Sequence, residues 1–499
     1  MVKQLRPARV SALPASPDPV DGPGPSLGPS PGSGPGPDLE SSPGPGLAVA
    51  AATAPGLLLL VVAVLLVPGT FQIAGSVLSP YRVLLLGMFP FLVRRWVTDT
   101  GGRPATTDIL MLASCLWLGL SLVANHGLGT IPRATIVFVE MFGGYLVGRT
   151  LIRNRIDHKN YFRYLTLAFL VLLPFVVLEA LTLVNIPRTI AELVLTLPPR
   201  TTWLGYRLGS HRAQGTLEHP ILFGLVASMG VANVAYIWRD RLRAAVPRTL
   251  LFIGTVFLTV SSGPLLSVFI QLSLMTWDRA LAFLRFRWLL LAYLVLLGLL
   301  AIRIGEEFQI RQFIVDHLSL SQASAEGRFV VFDYGMREVR EHPFFGIGLS
   351  DWTRPWWRAN EPTFDNFWLG YAMRYGLPTF GFLALAWGLN FARIAMQRTL
   401  SPEEMDYRRG YLITLTGLTI VLGTVNMWSA TAVFVMIYIG AGGWFYLQPR
   451  EIDTRDGAVR SRRAAQARAF GGGPTATAGT AMSDRAMSDG SRQSGRVPA

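Results

Sequence analysis

The chain has 499 residues, 51% of them hydrophobic and only 15% charged, whereas soluble domains carry roughly a quarter charged residues. That excludes an ordinary soluble enzyme and predicts an all-α polytopic integral membrane protein. The net charge of +14 comes almost wholly from arginine, since Lys3 and Lys159 are the only lysines. Most of these arginines flank hydrophobic runs, so membrane topology accounts for them and no nucleic-acid partner is expected.

In chain order, residues 1–52 come first and include a Pro/Gly/Ser tract with eleven prolines between Pro14 and Pro45. Such a tract cannot bury enough apolar surface to offset its ordering entropy and reads as a disordered cytoplasmic tail. The first apolar run begins near Leu47 and lacks the features of a secretory signal. Residues 449–499, with Arg460, Arg462 and Arg463 ahead of Gly, Ser, Thr and Ala, read as a second disordered, basic tail. Cys115, the only cysteine, falls inside an apolar run, so no disulfide or thiolate metal site is expected.

Between the tails, apolar segments suited to a hydrocarbon core of ~30 Å recur. They lie near 53–73, 78–93, 107–125, 131–149, 162–184, 219–238, 248–262, 264–277, 288–304, 366–397, 410–425 and 427–448, which makes twelve expected spans. The seventh and eighth are short, and Ser261-Ser262-Gly263-Pro264 divides them as the only clear break. With both termini cytoplasmic, the arginine clusters at 94–103, 149–163, 239–248, 279–287 and 393–409 all fall inside, as the positive-inside rule requires. The two long polar segments, 185–218 and 305–365, then share the outer face, the periplasm of a bacterium.

The first of these ends in GSHRAQGTLEHPILFG, where Arg212, Glu218 and His219 stand at the entrance of the sixth span. Ionisable groups there are costly unless paired or functional, and an arginine snorkelling to headgroups is the alternative. In the second, Phe329, Phe332, Met336 and Val339 recur at helical spacing and predict an apolar stripe. Arg328, Asp333, Arg337 and Arg340 lie off that stripe, and His342-Pro343 followed by Gly346-x-Gly348 ends the helix in a tight turn. Trp352, Trp356, Trp357, Trp368, Tyr371 and Tyr375 follow among arginines and Asp365-Asn366, as an interfacial aromatic belt or as sugar-stacking surfaces. Nucleotide-binding, zinc-protease and serine-hydrolase signatures are missing, so energy for any chemistry has to arrive in the substrate.

Three landmarks in this order resemble the O-antigen ligase and O-antigen polymerase superfamily of bacterial envelope proteins. They are RAQGTLEHP, GRFVVFDYGMREVREHPFFGIGLSDW and DNFWLGYAMRYGLPTFGFLAL, within a frame covering residues 80–445. The resemblance implies a membrane glycosyltransferase that takes a glycan from polyprenyl diphosphate at the periplasmic face of the inner membrane, without metal or other cofactor. It implies that Arg212 and Arg328 hold the diphosphate, with Glu218, His219, Arg337, His342, Trp352 and Asn366 around the substrate. Implied partners are the lipid-linked donor, a glycan or lipid-linked acceptor, membrane lipids, a flippase and export proteins. Two departures stand out: Ser262-Gly263-Pro264 replaces a Ser-Arg-Gly common in the family, and Asp365 replaces the family histidine. A carboxylate can still accept one proton from a sugar hydroxyl, although an aspartate there also suits a helix cap. A small-anion transporter and a non-catalytic scaffold of an export complex remain as alternatives.

Overall fold

The structure is a computed structural model and describes residues 55–73, 76–99, 104–196, 206–207, 209–304, 322–358 and 364–447. All lie in the compact unit Ala52–Ala499, and both tails expected to be disordered, 1–52 and 449–499, fall outside the described residues.

The described residues are mostly helical. In order they form α1 (Pro55–Leu65), α2 (Pro80–Asp99), α3 (Thr106–His126), α4 (Leu128–Leu151), α5 (Arg155–Thr182) and α6 (Ile186–Ala191). Then come α7 (Pro220–Ile237), α8 (Leu242–Leu258), α9 (Ser262–Ala280), α10 (Arg287–Ile304) and α11 (Gln322–Glu341). The last three are α12 (Phe367–Met396), α13 (Pro402–Val421) and α14 (Ser429–Leu447). Two short hairpins interrupt the helices, one pairing Phe71 with Leu78 and one pairing Tyr206 with His211.

Each of the twelve apolar segments coincides with a helix. Six of them, α3, α4, α5, α7, α12 and α14, are both long and apolar enough to cross a membrane. Local chemistry sets several starts. The side chains of Asn154, His219 and Asn366 each accept a backbone N–H of the first turn that follows, and Ser401 and Glu404 cap each other's backbone. The division between α8 and α9 is present: Val260 takes the left-handed region at φ +43°, and α9 restarts at Ser262.

Position in the bundle follows side-chain size. In α7 every residue but Ile221 is buried, and in α14 all of 430–445 are buried, so α7 and α14 are central. Glycines bring α4 and α14 into backbone contact: a Cβ on Gly148 would lie 1.9 Å from the Ile437 carbonyl oxygen, and one on Gly440 would lie 2.0 Å from that of Tyr145. Gly144-x-x-x-Gly148 is thus a small-residue membrane interface, where close approach gives van der Waals contact that lipid cannot match. A buried polar link crosses the same centre. Asn233 Nδ2 donates to Thr414 Oγ1 and Tyr438 OH at 3.0 and 3.1 Å, and Thr414 donates to Gln271.

The expectation of a single break is corrected by α12. Gly376 leaves the helical region at φ +86°, ψ +164°, two residues before Pro378. The carbonyls freed at Met373 and Arg374 accept the N–H groups of Ile347 and Gly348 at 3.0 and 2.8 Å, while Leu377 N–H donates to Pro343 at 2.7 Å. The HPFFGIG loop is therefore inserted into a gap in a helix. Gly346 and Gly348 both have φ +62°, and a Cβ on Gly346 would sit 2.4 Å from the Met373 carbonyl oxygen. Helix α3 closes the other side, with Trp117 Nε1, Ser121 Oγ and Asn125 Nδ2 donating to the Phe344 and Phe345 carbonyls. His126 Nε2 accepts Leu349 N–H at 2.7 Å. That loop fastens the C-terminal end of α11 to the bundle.

Candidate functional site

The C-terminal ends of α8 and α13 and the N-terminal ends of α7, α9, α12 and α14 meet at one end of the bundle. Phe367 N–H, at the start of α12, donates to the carbonyls of Leu422 and Val425 beyond α13. Gly263 makes this meeting close, since a Cβ there would lie 2.4 Å from Val425 Cγ2.

Two arginines from separate polar segments reach this point and take adjacent serines. Arg212 Nη2 donates to Ser261 Oγ at 2.9 Å, and its Nε approaches the Thr259 carbonyl at 3.5 Å. Arg328 Nη2 donates to Ser262 Oγ at 3.2 Å and its Nε to the Thr424 carbonyl at 3.1 Å. Both are largely buried. Burial is the main influence on each guanidinium: it pushes Arg212 down to about 10, where it remains cationic at neutral pH, and lowers Arg328 as well. Arg207 adds a third positive charge that lowers both, and Asp365 acts on both in the opposite sense. The unit is three cations and one carboxylate, contributed by three stretches of chain: 207–212, the start of α11 and the approach to α12.

The cap of α12 is Asn366, whose Oδ1 accepts Leu369 N–H at 3.0 Å. Asp365 is one residue outside the cap, between the buried Phe364 and Asn366, and its charge is directed to the arginines. His219 Nδ1 accepts Ile221 N–H at 3.1 Å. A neutral imidazole in that bond carries its proton on Nε2, so His219 presents a donor and not a base. Glu218 is exposed and accepts Trp428 Nε1–H at 2.7 Å.

The remaining expected residues lie apart from the arginines. Along α11 the buried positions are Gly327, Val331, Gly335, Glu338 and Val339; of the expected stripe Val339 is buried and Met336 packs beside it, whereas Phe332 is 47% exposed, which corrects the stripe at that position. The helix is turned because Gly335 admits Phe364, whose ring would lie 2.6 Å from a Cβ there, and because Glu338 accepts Thr353 N–H. This turn points Arg328 inward. Arg337 is exposed and pairs with Glu341 at 2.9 Å, and His342 is exposed at the helix end. Trp352 is 4% exposed, edge-on to Phe364 and under Arg354, so in this conformation it offers no face to a sugar. Glu338, Glu341 and His342 bring one ligand atom each within 4.8 Å of one another and could hold a metal ion, although both glutamates already serve neighbours.

Arg207, Ser261, Ser262 and Thr424 were not singled out as site residues by sequence reasoning. The two serines carried a signal, since a polar Ser-Ser at a helix break inside apolar sequence needs partners. Arg207 carried none.

Comparison with known families finds one match: a family described as O-antigen ligase covers residues 249–384. The matched stretch contains both serines, Arg328 and Asp365, and stops short of Arg207 and Arg212 on its N-terminal side. No curated protein matches the chain. Residues 249–384 thus resemble the O-antigen ligase family, in line with the expected resemblance to the O-antigen ligase and polymerase superfamily.

Proposed function

We propose that the protein is a glycosyltransferase of a bacterial inner membrane, with both termini cytoplasmic and its site on the periplasmic side. It joins a glycan carried on polyprenyl diphosphate to a glycan or lipid-linked acceptor, with a flippase and export proteins as functional partners. The observation that carries this reading is the convergence of Arg212 and Arg328 on Ser261 and Ser262, with Asp365 in electrostatic range of both.

In this mechanism the acceptor hydroxyl oxygen attacks the anomeric carbon of the donor. The bond from that carbon to the diphosphate oxygen breaks, and its electron pair leaves with the diphosphate. Arg212 and Arg328 receive the growing negative charge, a task for which the planar, permanently charged guanidinium is suited. Arg207 supplies the positive charge that the family places in Ser-Arg-Gly. Asp365 takes the hydroxyl proton, the role of the family histidine. The transporter alternative is less well supported, because Glu140, Glu179 and Arg374 inside the spans each have a structural partner. Glu140 accepts from Tyr81 and Arg82, Glu179 from Gly215 N–H, and Arg374 donates to Gly348.

The test uses purified protein in lipid with a polyprenyl-diphosphate glycan as donor, following both donor binding and product. Asp365→Asn is expected to bind donor normally and lose transfer by about 10²-fold or more, the usual scale for a general base. Arg212→Ala and Arg328→Ala are expected to lose donor binding, with lysine restoring part of it. Full transfer by the Asn variant makes Asp365 dispensable as the base, and normal donor binding by both alanine variants overturns the diphosphate site.

A further inference from the structure

Helix α11 ends in Glu338, Glu341 and His342, three residues that the transfer step does not use. Positions i, i+3 and i+4 share one face of a helix. The His342 N–H donates to the Glu338 carbonyl at 2.8 Å, which keeps that spacing helical to the last turn. One ligand atom from each side chain lies within 4.8 Å of the other two.

Glu338 is the unusual member. It is 4% exposed, yet among the described residues its one hydrogen bond comes from Thr353 N–H, and no cation forms an ion pair with it. Buried carboxylates are rarely left so; they are paired with a cation or bound to a metal. The arginines around it are engaged elsewhere or face away. Arg337 bonds to Glu341 at 2.9 Å and acts on Glu338 only through space. Arg354, next to Thr353, pairs with Asp351. Arg340 is exposed and stands two positions from Glu338, on another side of the helix.

We propose that Glu338, Glu341 and His342 form a divalent transition-metal site, with zinc as its ion, that staples the end of α11 to the segment after it. One imidazole with two carboxylates suits zinc, whereas calcium and magnesium prefer oxygen ligands throughout. The helix C-terminus favours a cation, because its last carbonyls carry partial negative charge. A carboxylate has lone pairs enough for a backbone N–H and a metal together, so Glu338 keeps Thr353 while it ligates. Glu341 has to leave Arg337, and an exposed pair of that kind contributes little. Arg328 is ten positions earlier, about 15 Å along the helix, so the ion holds structure and takes no part in transfer. The site therefore stands whether or not the function proposed above does.

The experiment uses the purified full chain, carrying a tag free of histidine and stripped with a chelator. Zn²⁺ is titrated in competition with a chromophoric chelator, with Ca²⁺ and Mg²⁺ in parallel. One equivalent of Zn²⁺ is expected to bind in preference to the other two ions. Glu341→Gln and His342→Ala should each weaken it by about tenfold or more, at least the loss that outer-shell partners of a metal cause. Both side chains are exposed, so these variants fold. Glu338→Gln should weaken it too, although it keeps an acceptor for Thr353 N–H. Arg337→Ala should strengthen binding by up to about fivefold, since it frees Glu341 and removes a positive charge. His211→Ala, in the other polar segment, should change nothing. In exchange experiments Zn²⁺ should slow the amide of Thr353. Failure to bind Zn²⁺, binding that Glu341→Gln and His342→Ala both retain, or equal affinity for Ca²⁺ and Mg²⁺ overturns the site.

Discussion

Helices α14 and α10 are both strongly apolar, yet their surroundings are opposite. In α14 every residue from Ala430 to Ala441 is buried, with Val433, Phe434 and Ile437 at 0% exposure. In α10 the described side chains are exposed almost throughout: Leu289 is 69% exposed, Tyr293 61% and Leu296 64%. Hydropathy says that both avoid water and nothing about which one other helices prefer to lipid. Composition does distinguish them. The run SATAVFVMIYIGA holds small and hydroxyl side chains that let backbones touch, whereas RWLLLAYLVLLGLLAIRI is mostly leucine, for which lipid is as good a neighbour as protein.

The largest expected effect is at the central helix. Gly148→Val would drive its Cβ into the Ile437 carbonyl oxygen and the Ala441 nitrogen, which are backbone atoms with no rotamer to yield. A loss of at least about 3 kcal/mol is expected, the upper end of overpacking, and little folded protein should elute from size exclusion in detergent. A variant that melts like wild type would mean that α4 and α14 are farther apart than described.

The next effect tests what surrounds α10. Val295 is 54% exposed at mid-helix, so arginine there meets no protein clash, but in hydrocarbon it costs about 2.5–3.5 kcal/mol. Val295→Arg is expected to insert poorly in a membrane-integration assay. Normal insertion would remove α10 from the lipid and with it one crossing from the expected twelve.

The smallest effect closes the comparison. Nothing lies within 4 Å of a Cβ placed on Gly298 in α10. Gly298→Val should change melting temperature by no more than the scatter of replicate scans, in contrast to the same substitution at Gly148. A clear destabilisation would reveal a partner helix or second copy against α10.

The same contrast explains what was legible beforehand. Long apolar runs and flanking arginines were enough to place a helix in every expected segment, and Ser261-Ser262-Gly263-Pro264 marked the division between α8 and α9. Arg212, Arg328 and Asp365 could be chosen because the motifs that hold them resemble those of the O-antigen ligase and polymerase superfamily. Facing directions were not legible where distant residues decide them. The stripe on α11 was misjudged because Phe364 and Thr353, not the helix's own periodicity, choose the buried side. Trp352 was read as part of an interfacial belt or as a sugar-stacking ring because a tryptophan beside an expected span reads alike whether it covers a core or faces solvent. Gly376 looked like any other glycine in an apolar run, since its role exists only together with Pro343 and Ile347.

The gap in α12 has a consequence for the order of synthesis. Its two halves are joined by hydrogen bonds to residues 343–348, and those residues are in turn held by α3. Both precede α12 in the chain, so when the ribosome delivers Phe367 onward the template that splints the helix has already been made. A circular permutant that begins at Phe367 would reverse this sequence of events. It would have to carry the Met373 and Arg374 carbonyls through the insertion machinery with no donor for them, and its failure to assemble would be a defect of timing rather than of any lost contact.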